Sequence, residues 1–346
     1  MLDENLKRDL NVYINRGNQL RQMKQTCKLT ENIANVIKMD SSNPKIFYFI
    51  EASSGMGKSQ LAASLELPVV YIPLNVSQTI YKCFTNVHAA ILSAIDLDNI
   101  ELEKMTSYGV LNKVRSQNLM YNTNSFNTVG LLMALLEIVC DKSNEESFKL
   151  LCGYSATNNI EYSTMTLAAA RKTVQEKLKG NVSIPLFVID EVPAIDNKQN
   201  MYEMCIILRN FIRCMNCVCL LCGTEAAAMN AIDNVEEGSR GTDNTEYLRL
   251  VVDLPPTQLN IFSKDEKYEN LIPRLSPYLC EMLQRTRPLF VQYVLDALLS
   301  EETTSNVETE TIPLTVTVLS AVKKKLLNEK SRFVSDSGLY AQLAML

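Results

Sequence analysis

One stretch limits the folds open to this chain more than any other: Lys45-Ile-Phe-Tyr-Phe-Ile-Glu-Ala-Ser-Ser-Gly-Met-Gly-Lys-Ser-Gln60. It reads as a strand, a tight loop and the start of a helix. Ile46 to Ile50 is apolar and aromatic, which suits a fully buried strand. Ala52 to Ser59 then matches the phosphate-cradling pattern Gly-x-x-x-x-Gly-Lys-[Ser/Thr] at every fixed position but the first, where Ala52 replaces Gly. A triphosphate needs inward-pointing backbone N–H groups, a helix start behind them, and a cation. Gly55 and Gly57 let the backbone turn and come close, with Ser53, Ser54, Met56 and Gln60 completing the cradle. Lys58 can reach the β- and γ-phosphates, and the Ser59 hydroxyl can bind Mg²⁺. The plainer reading is a simple strand-to-helix turn.

The second constraint is Leu186-Phe-Val-Ile-Asp-Glu191. Four apolar residues form a buried strand, and two acids are expected to emerge at its C-terminal edge, where an open α/β sheet binds ligand. Asp190 would hold Mg²⁺ and Glu191 would polarise the attacking water as general base. A strand that merely ends in two solvated acids is the alternative. A Glu directly after the metal Asp marks the P-loop ATPases in which a further strand separates the first strand from its acidic partner. Val218-Cys-Leu-Leu-Cys-Gly-Thr-Glu225 is the expected intervening strand. Its Thr224 is a candidate γ-phosphate sensor, or a helix N-cap.

The rest of the pattern alternates strands with helices. Val69 to Leu74 and Tyr247 to Leu254 are further strands, which gives a parallel sheet of about five strands. Residues 1–44 read as an N-terminal helical segment and 45–260 as a P-loop NTPase domain of the ASCE/AAA/STAND-like kind. Residues 261–346 read as a C-terminal helical domain. Between about 75 and 181 no strong strand appears. Helical patterns at Tyr81–Ile95, Gly130–Cys140 and Thr164–Leu178 mark a large insertion, expected to form a lid or subdomain. Further helices are expected at Met201–Met215, Tyr268–Ile272, Leu275–Arg285, Pro288–Leu299 and Leu314–Leu327.

Net charge is −5, which leaves no overall electrostatic footprint for nucleic acid. The ten cysteines, many inside apolar runs, suit reduced core thiols and an intracellular, reducing workplace. No apolar run is long enough to span a bilayer, so no membrane partner is expected. Cys214, Cys217, Cys219 and Cys222 do not have the convergence that a zinc site needs. The single histidine, His88, sits in an apolar helical pattern and suits packing better than catalysis. Arg287 is the foremost candidate for a transition-state cation. Arg209, Arg213 and Arg240 are further ones, each with a salt-bridge role as the bland alternative.

Taken together, Glu51 to Gln60, Val70-Tyr-Ile-Pro-Leu74, Phe187-Val-Ile-Asp-Glu191, Leu208-Arg-Asn210, Leu221-Cys-Gly-Thr224, Asn230 and Arg287-Pro288-Leu289 resemble the P-loop NTPase domain of Crinkler-type effectors of oomycetes and chytrids. The retrotransposon hot-spot proteins of trypanosomes are similar. The resemblance runs from about residue 45 to 290. It implies a virulence effector secreted into a host cell, often acting in the host nucleus, with host protein or nucleic acid as partner. Such effectors usually carry a ubiquitin-like header and often a nuclease-like or kinase-like C-terminal domain. Neither is recognisable here, so an ATPase-only form, a divergent member or a fragment is expected.

Two functions follow. The first is Mg²⁺-dependent binding and slow hydrolysis of ATP or another NTP, with the nucleotide switching a helical subdomain and self-association open. The second is a non-hydrolysing nucleotide-binding module acting on host protein or DNA, which Ala52 at the loop entrance would favour. ATP-assisted DNA cleavage, a third reading, would need a nuclease centre, and no acidic cluster in the sequence stands out as one.

Overall fold

The computed structural model describes residues 4–39, 44–52, 56–76, 80–105, 123–157, 160–192, 199–223, 248–251, 254–286 and 288–302. They divide into two units. One lies within Met1–Ala52 and Lys58–Asp253, the other within Ser53–Gly57 and Leu254–Leu346.

The first unit is α/β, and its centre is a five-stranded sheet whose pairs are all parallel. Its strands are β1 (Phe47–Glu51), β2 (Val69–Pro73), β5 (Leu186–Val192), β6 (Cys219–Gly223) and β7 (Leu248–Val251). Their order across the sheet is β2-β5-β6-β1-β7. Strand β6 therefore lies between the strand that runs into Ala52 and the strand that carries Asp190-Glu191, as the acidic pair led us to expect. From β1 the chain leaves for the far edge at β2, and from β6 it crosses to β7 on the other side of β1. The winding direction thus switches at the β1–β6 pair, the place where open parallel sheets bind ligands. A separate antiparallel pair joins β3 (Ser125–Phe126) to β4 (Met165–Thr166).

The apolar runs explain the strands. Phe47, Phe49, Ile50, Val69, Val70, Ile72, Phe187, Val188, Ile189 and Leu220 are all fully buried, as a sheet covered on both faces requires. Pro73 lies at the sheet's edge, where its missing N–H costs no ladder bond.

Helices α1 (Glu4–Leu20) and α2 (Lys24–Lys38) belong to this unit. Helix α1 packs along α3 (Lys58–Ser64), and Gly17 makes the approach possible, since a Cβ there would stand 2.5 Å from the Ala63 carbonyl oxygen. Arg21 Nε donates to the Ser64 carbonyl at 3.3 Å. Buried Lys45 donates from Nζ to the Val36 carbonyl at 3.0 Å and to that of Met39, at the end of α2.

The 75–181 segment contains a 3₁₀ turn (Ile80–Phe84), α4 (Thr85–Met105), α5 (Asn127–Val139), α6 (Asn144–Thr157) and α7 (Leu167–Lys179). Helix α6 was not legible in the sequence, because serines, a glycine and charges interrupt its buried Phe148, Leu151 and Cys152. Helices α4, α5 and α6 pack on β2, in the same unit as the sheet. Asn144, at the start of α6, donates to the carbonyls of Ala62 and Leu67, both at 3.1 Å, closing the C-terminal end of α3. Helix α5 lacks a local side-chain cap. Buried Asp98 of α4 caps it instead, accepting from the backbone N–H of Asn127 and of Thr128, each at 2.7 Å. Helix α8 (Gln199–Cys214) packs on β5 and β6.

In the second unit, α9 (Leu259–Phe262), α10 (Pro277–Gln284) and α11 (Pro288–Glu302) share an apolar core that includes Tyr268, Leu279, Leu283, Val291 and Val294. Ser276 caps α10, its hydroxyl accepting from the Leu279 N–H at 3.2 Å. The Tyr268–Ile272 stretch, expected to be helical, forms turns and a 3₁₀ segment (Ile272–Arg274) around Pro273, which cannot continue an α-helix. The expected helix Leu314–Leu327 lies outside the described residues.

A packing prediction follows from Gly130 in α5. A Cβ there would sit 1.8 Å from the Ser163 carbonyl oxygen. Gly130→Ala is expected to destabilise the first unit by about 1–3 kcal/mol, read as a lower urea midpoint. An unchanged midpoint would contradict this packing.

Candidate functional site

The site grows from an irregularity in β5. Its register with β6 runs through Ile189↔Leu221 and resumes at Val192↔Gly223. Two residues of β5, Asp190 and Glu191, therefore face one of β6, Cys222. This is a β-bulge, which bends a strand and re-aims its side chains. Glu191 holds φ 60°. The other described non-glycine residues at positive φ are Asp141, Asn181 and Asn216, side chains that tolerate this region. A glutamate there, in a strand, is strained backbone of the kind that concentrates at functional sites.

Asp190 does not emerge into solvent as expected; it is only 1% exposed. Its Oδ1 accepts the Glu191 N–H at 2.8 Å. Its Oδ2 accepts the Tyr71 hydroxyl, with the Tyr81 hydroxyl 3.4 Å away. Its carbonyl accepts the Leu74 N–H at 2.9 Å. Tyr71 shares a face with Asp190 because β2 and β5 are in parallel register, Tyr71 opposite Val188 and Pro73 opposite Asp190. Tyr81 comes from the 3₁₀ turn after β2, and its ring stacks at 25° on that of Tyr71.

The same Tyr81 hydroxyl lies 2.9 Å from the Ser59 Oγ at the start of α3. Ser59 and Asp190, 131 positions apart in sequence, are thus joined through one phenol. Lys58 Nζ donates to the Ala52 carbonyl at 2.8 Å. Gln60 Nε2 donates to the Tyr13 carbonyl of α1 at 2.7 Å. Gly57 adopts φ 86°, a conformation suited to glycine, and Met56 and Gly57 are half-buried. Ser53, Ser54, Gly55, Thr224, Arg240 and Arg287 lie outside the described residues.

Two candidate arginines are placed elsewhere. The guanidinium of Arg209 stands 4.7 Å from the centroid of the Phe47 ring and that of Arg213 5.5 Å from it. Arg209 also donates to Asn210 Oδ1 at 3.2 and 3.1 Å, and Arg213 donates to the Lys45 carbonyl. Phe47 opens β1, whereas Asp190 lies near the C-terminal end of β5, so neither arginine belongs to the acidic site. His88 Nδ1 lies 2.8 Å from the Pro73 carbonyl and serves packing.

The electrostatics follow burial. Burial pushes the hydroxyls of Tyr71 and Tyr81 well above the ordinary tyrosine range, and the neighbouring Asp190 adds to it; Glu191 raises Tyr81 further. Burial likewise raises Tyr13, with Tyr81 and Asp190 next in effect. Cys222, opposite the bulge, is pushed up by burial and by Asp190, against a lowering pull from Lys58. The thiols of Cys205 and Cys217 are pushed up to about 12 and that of Cys214 to about 11, chiefly by burial. These are packed, unreactive thiols.

The donor set suits a small hard cation. A serine hydroxyl and a carboxylate on opposing elements are oxygen ligands of the kind Mg²⁺ takes. The tyrosines around Asp190 escaped sequence reasoning. Tyr71 carried no signal of its own, since it lies in a strand whose five residues are all buried. Tyr81 carried none beyond an apolar helical pattern. No protein-family model matches the chain, and no curated protein matches it.

Two predictions follow. The buried tyrosines favour their neutral form in the fold, whereas the unfolded chain ionises near pH ~10. Their contribution is complete below that pH and is lost as pH rises above it. Alkaline titration should therefore show exposed tyrosines such as Tyr278 ionising first, and the last part of the tyrosinate absorbance rising together with loss of far-ultraviolet circular dichroism. Full tyrosinate formation with the helical signal intact would contradict the burial. At the bulge, Glu191→Gly relieves the positive φ and is expected to leave stability equal or raise it by up to about 1 kcal/mol. A clear loss in the urea midpoint would show that the Glu191 side chain holds the fold.

Proposed function

We propose that this chain is a Mg²⁺-dependent nucleoside triphosphatase of the P-loop class, with ATP as the favoured nucleotide. The observation that carries the reading is the β2-β5-β6-β1-β7 order. It sets the strand leading into the phosphate-loop sequence and the strand bearing Asp190-Glu191 on either side of β6, with Asp190 one phenol away from Ser59.

In this reading the chain's residues divide the work. Lys58 leaves the Ala52 carbonyl and places its ammonium on the terminal phosphates. Ser59 and Asp190 hold the cation, which when bound with nucleotide neutralises charge developing on the phosphate oxygens. Glu191, aimed by the bulge, takes a proton from the attacking water. The sequence motif assigns the phosphate contacts to residues 53–57 and Gln60. Thr224 and Arg287 are assigned the γ-phosphate contact and the transition-state cation. The Crinkler resemblance extends the proposal to an effector that engages host protein or nucleic acid, in the host nucleus, through a helical subdomain that follows nucleotide state. Among the described residues no helix is long and apolar enough to cross a membrane.

A second reading, nucleotide binding without hydrolysis, draws on one arrangement. Both oxygens of Asp190 already accept bonds from the chain's own groups, and Lys58 is held by Ala52. A fluorescent-ATP titration followed by phosphate-release kinetics separates the two. Lys58→Ala should weaken binding at least tenfold. Glu191→Gln should bind normally and turn over about 10²–10⁴-fold more slowly. Tight binding by the unaltered chain without phosphate release would favour the second reading. No binding at all would end both.

A further inference from the structure

We propose that Tyr81 competes with the divalent cation for the place between Ser59 and Asp190, and so sets how strongly this site depends on metal. The inference rests on the nucleotide reading above and adds to it a residue that no phosphate-loop or acidic motif contains.

The geometry is direct. The Tyr81 hydroxyl is 2.9 Å from Ser59 Oγ and 3.4 Å from Asp190 Oδ2. Those are the two oxygens to which the sequence motifs assign the cation. Mg²⁺ binds oxygen at about 2.0–2.1 Å and demands near-octahedral geometry. A phenol within hydrogen-bonding distance of one ligand and close to the other takes up the space such an ion needs. It also serves both groups: as a donor it satisfies the carboxylate, and as an acceptor it satisfies the serine.

The two tyrosines differ in how tightly they hold Asp190. Tyr71 is fixed within β2, its ring 5.1 Å from that of Phe84 and 5.2 Å from that of Phe148. Its hydroxyl holds Asp190 from the strand side. Tyr81 belongs instead to a 3₁₀ turn of five residues. Its contact with the Asp190 carboxylate, at 3.4 Å, is the longer and weaker of the two tyrosine contacts. Tyr71 is thus the positioning residue for Asp190, and Tyr81 is the removable one.

The test uses the full chain and N-methylanthraniloyl-ADP, titrated once in EDTA and once in Mg²⁺. Binding in EDTA reports the phosphate-loop reading; the increment that Mg²⁺ adds reports Tyr81. Tyr81→Phe removes the competing hydroxyl and should enlarge the Mg²⁺ increment roughly tenfold, the worth of a hydrogen bond to a charged group. Ser59→Ala should abolish the increment. An equal increment in Tyr81→Phe and the unaltered chain overturns the competition. A smaller increment also overturns it and makes Tyr81 a ligand. No binding in either buffer overturns the inference together with the nucleotide reading.

A measurement on the unaltered chain guards against misfolding of the variant. The chain has no tryptophan, so its near-ultraviolet difference spectrum reports tyrosine. Adding Mg²⁺ to the complex with unlabelled ADP should shift tyrosine absorption to shorter wavelength as the Tyr81 hydroxyl leaves the carboxylate for water. A flat difference spectrum at saturating Mg²⁺ overturns the proposal.

Discussion

The structure depends on how it houses one buried carboxyl group. Asp190 is almost wholly withdrawn from water, and such a group costs several kcal/mol unless its oxygens are hydrogen-bonded. Three elements supply those bonds. The β5 bulge turns the Glu191 N–H onto one oxygen, and β2 sends the Tyr71 hydroxyl to the other. The 3₁₀ turn brings Tyr81, which also reaches Ser59 at the head of α3. Directly and through Tyr81, this one side chain ties β5 to the sheet edge and to the head of α3.

Helix α3 is short and is held from outside. Gly17 lets α1 lie against Ala63, Arg21 takes the Ser64 carbonyl, and Asn144 takes two more carbonyls from α6. A helix this brief is marginal alone, since helix formation carries a costly nucleus and most helical stability comes from packing. The N-terminal helices and the 75–181 segment therefore serve the site by fixing where Lys58, Ser59 and Gln60 stand. The cost of strain is concentrated at Glu191, the residue proposed to handle water, while the three other described non-glycine residues at positive φ use Asx side chains in turns.

Much of this was legible beforehand. The strands at Phe47, Val69, Leu186 and Cys219 were visible as short apolar runs bounded by breakers. The place of β6 between β1 and β5 was anticipated from one residue, Glu191, whose position after Asp190 implied an intervening strand. The arginines were not legible: Arg209 and Arg213 carry the right charge, and only their position over Phe47 removes them from the acidic end. The cap on α5 was hidden in the same way, because Asp98 lies 29 residues before Asn127.

By itself the sequence determined most of the elements and offered the candidate chemical parts. Apolar periodicity, glycines and the Gly-Lys-Ser and Asp-Glu steps act over a few residues, where local sterics and solvation decide the outcome. Tertiary structure alone decided the partners of those parts. Tyr71 and Asp190 are 119 positions apart, and Ser59 and Tyr81 are 22 apart. No local pattern encodes such pairings; they exist because parallel register and helix packing bring the groups together where burial makes each hydrogen bond count. The sequence offered Ser59 and Asp190 as candidates, and the fold placed the Tyr81 hydroxyl beside both.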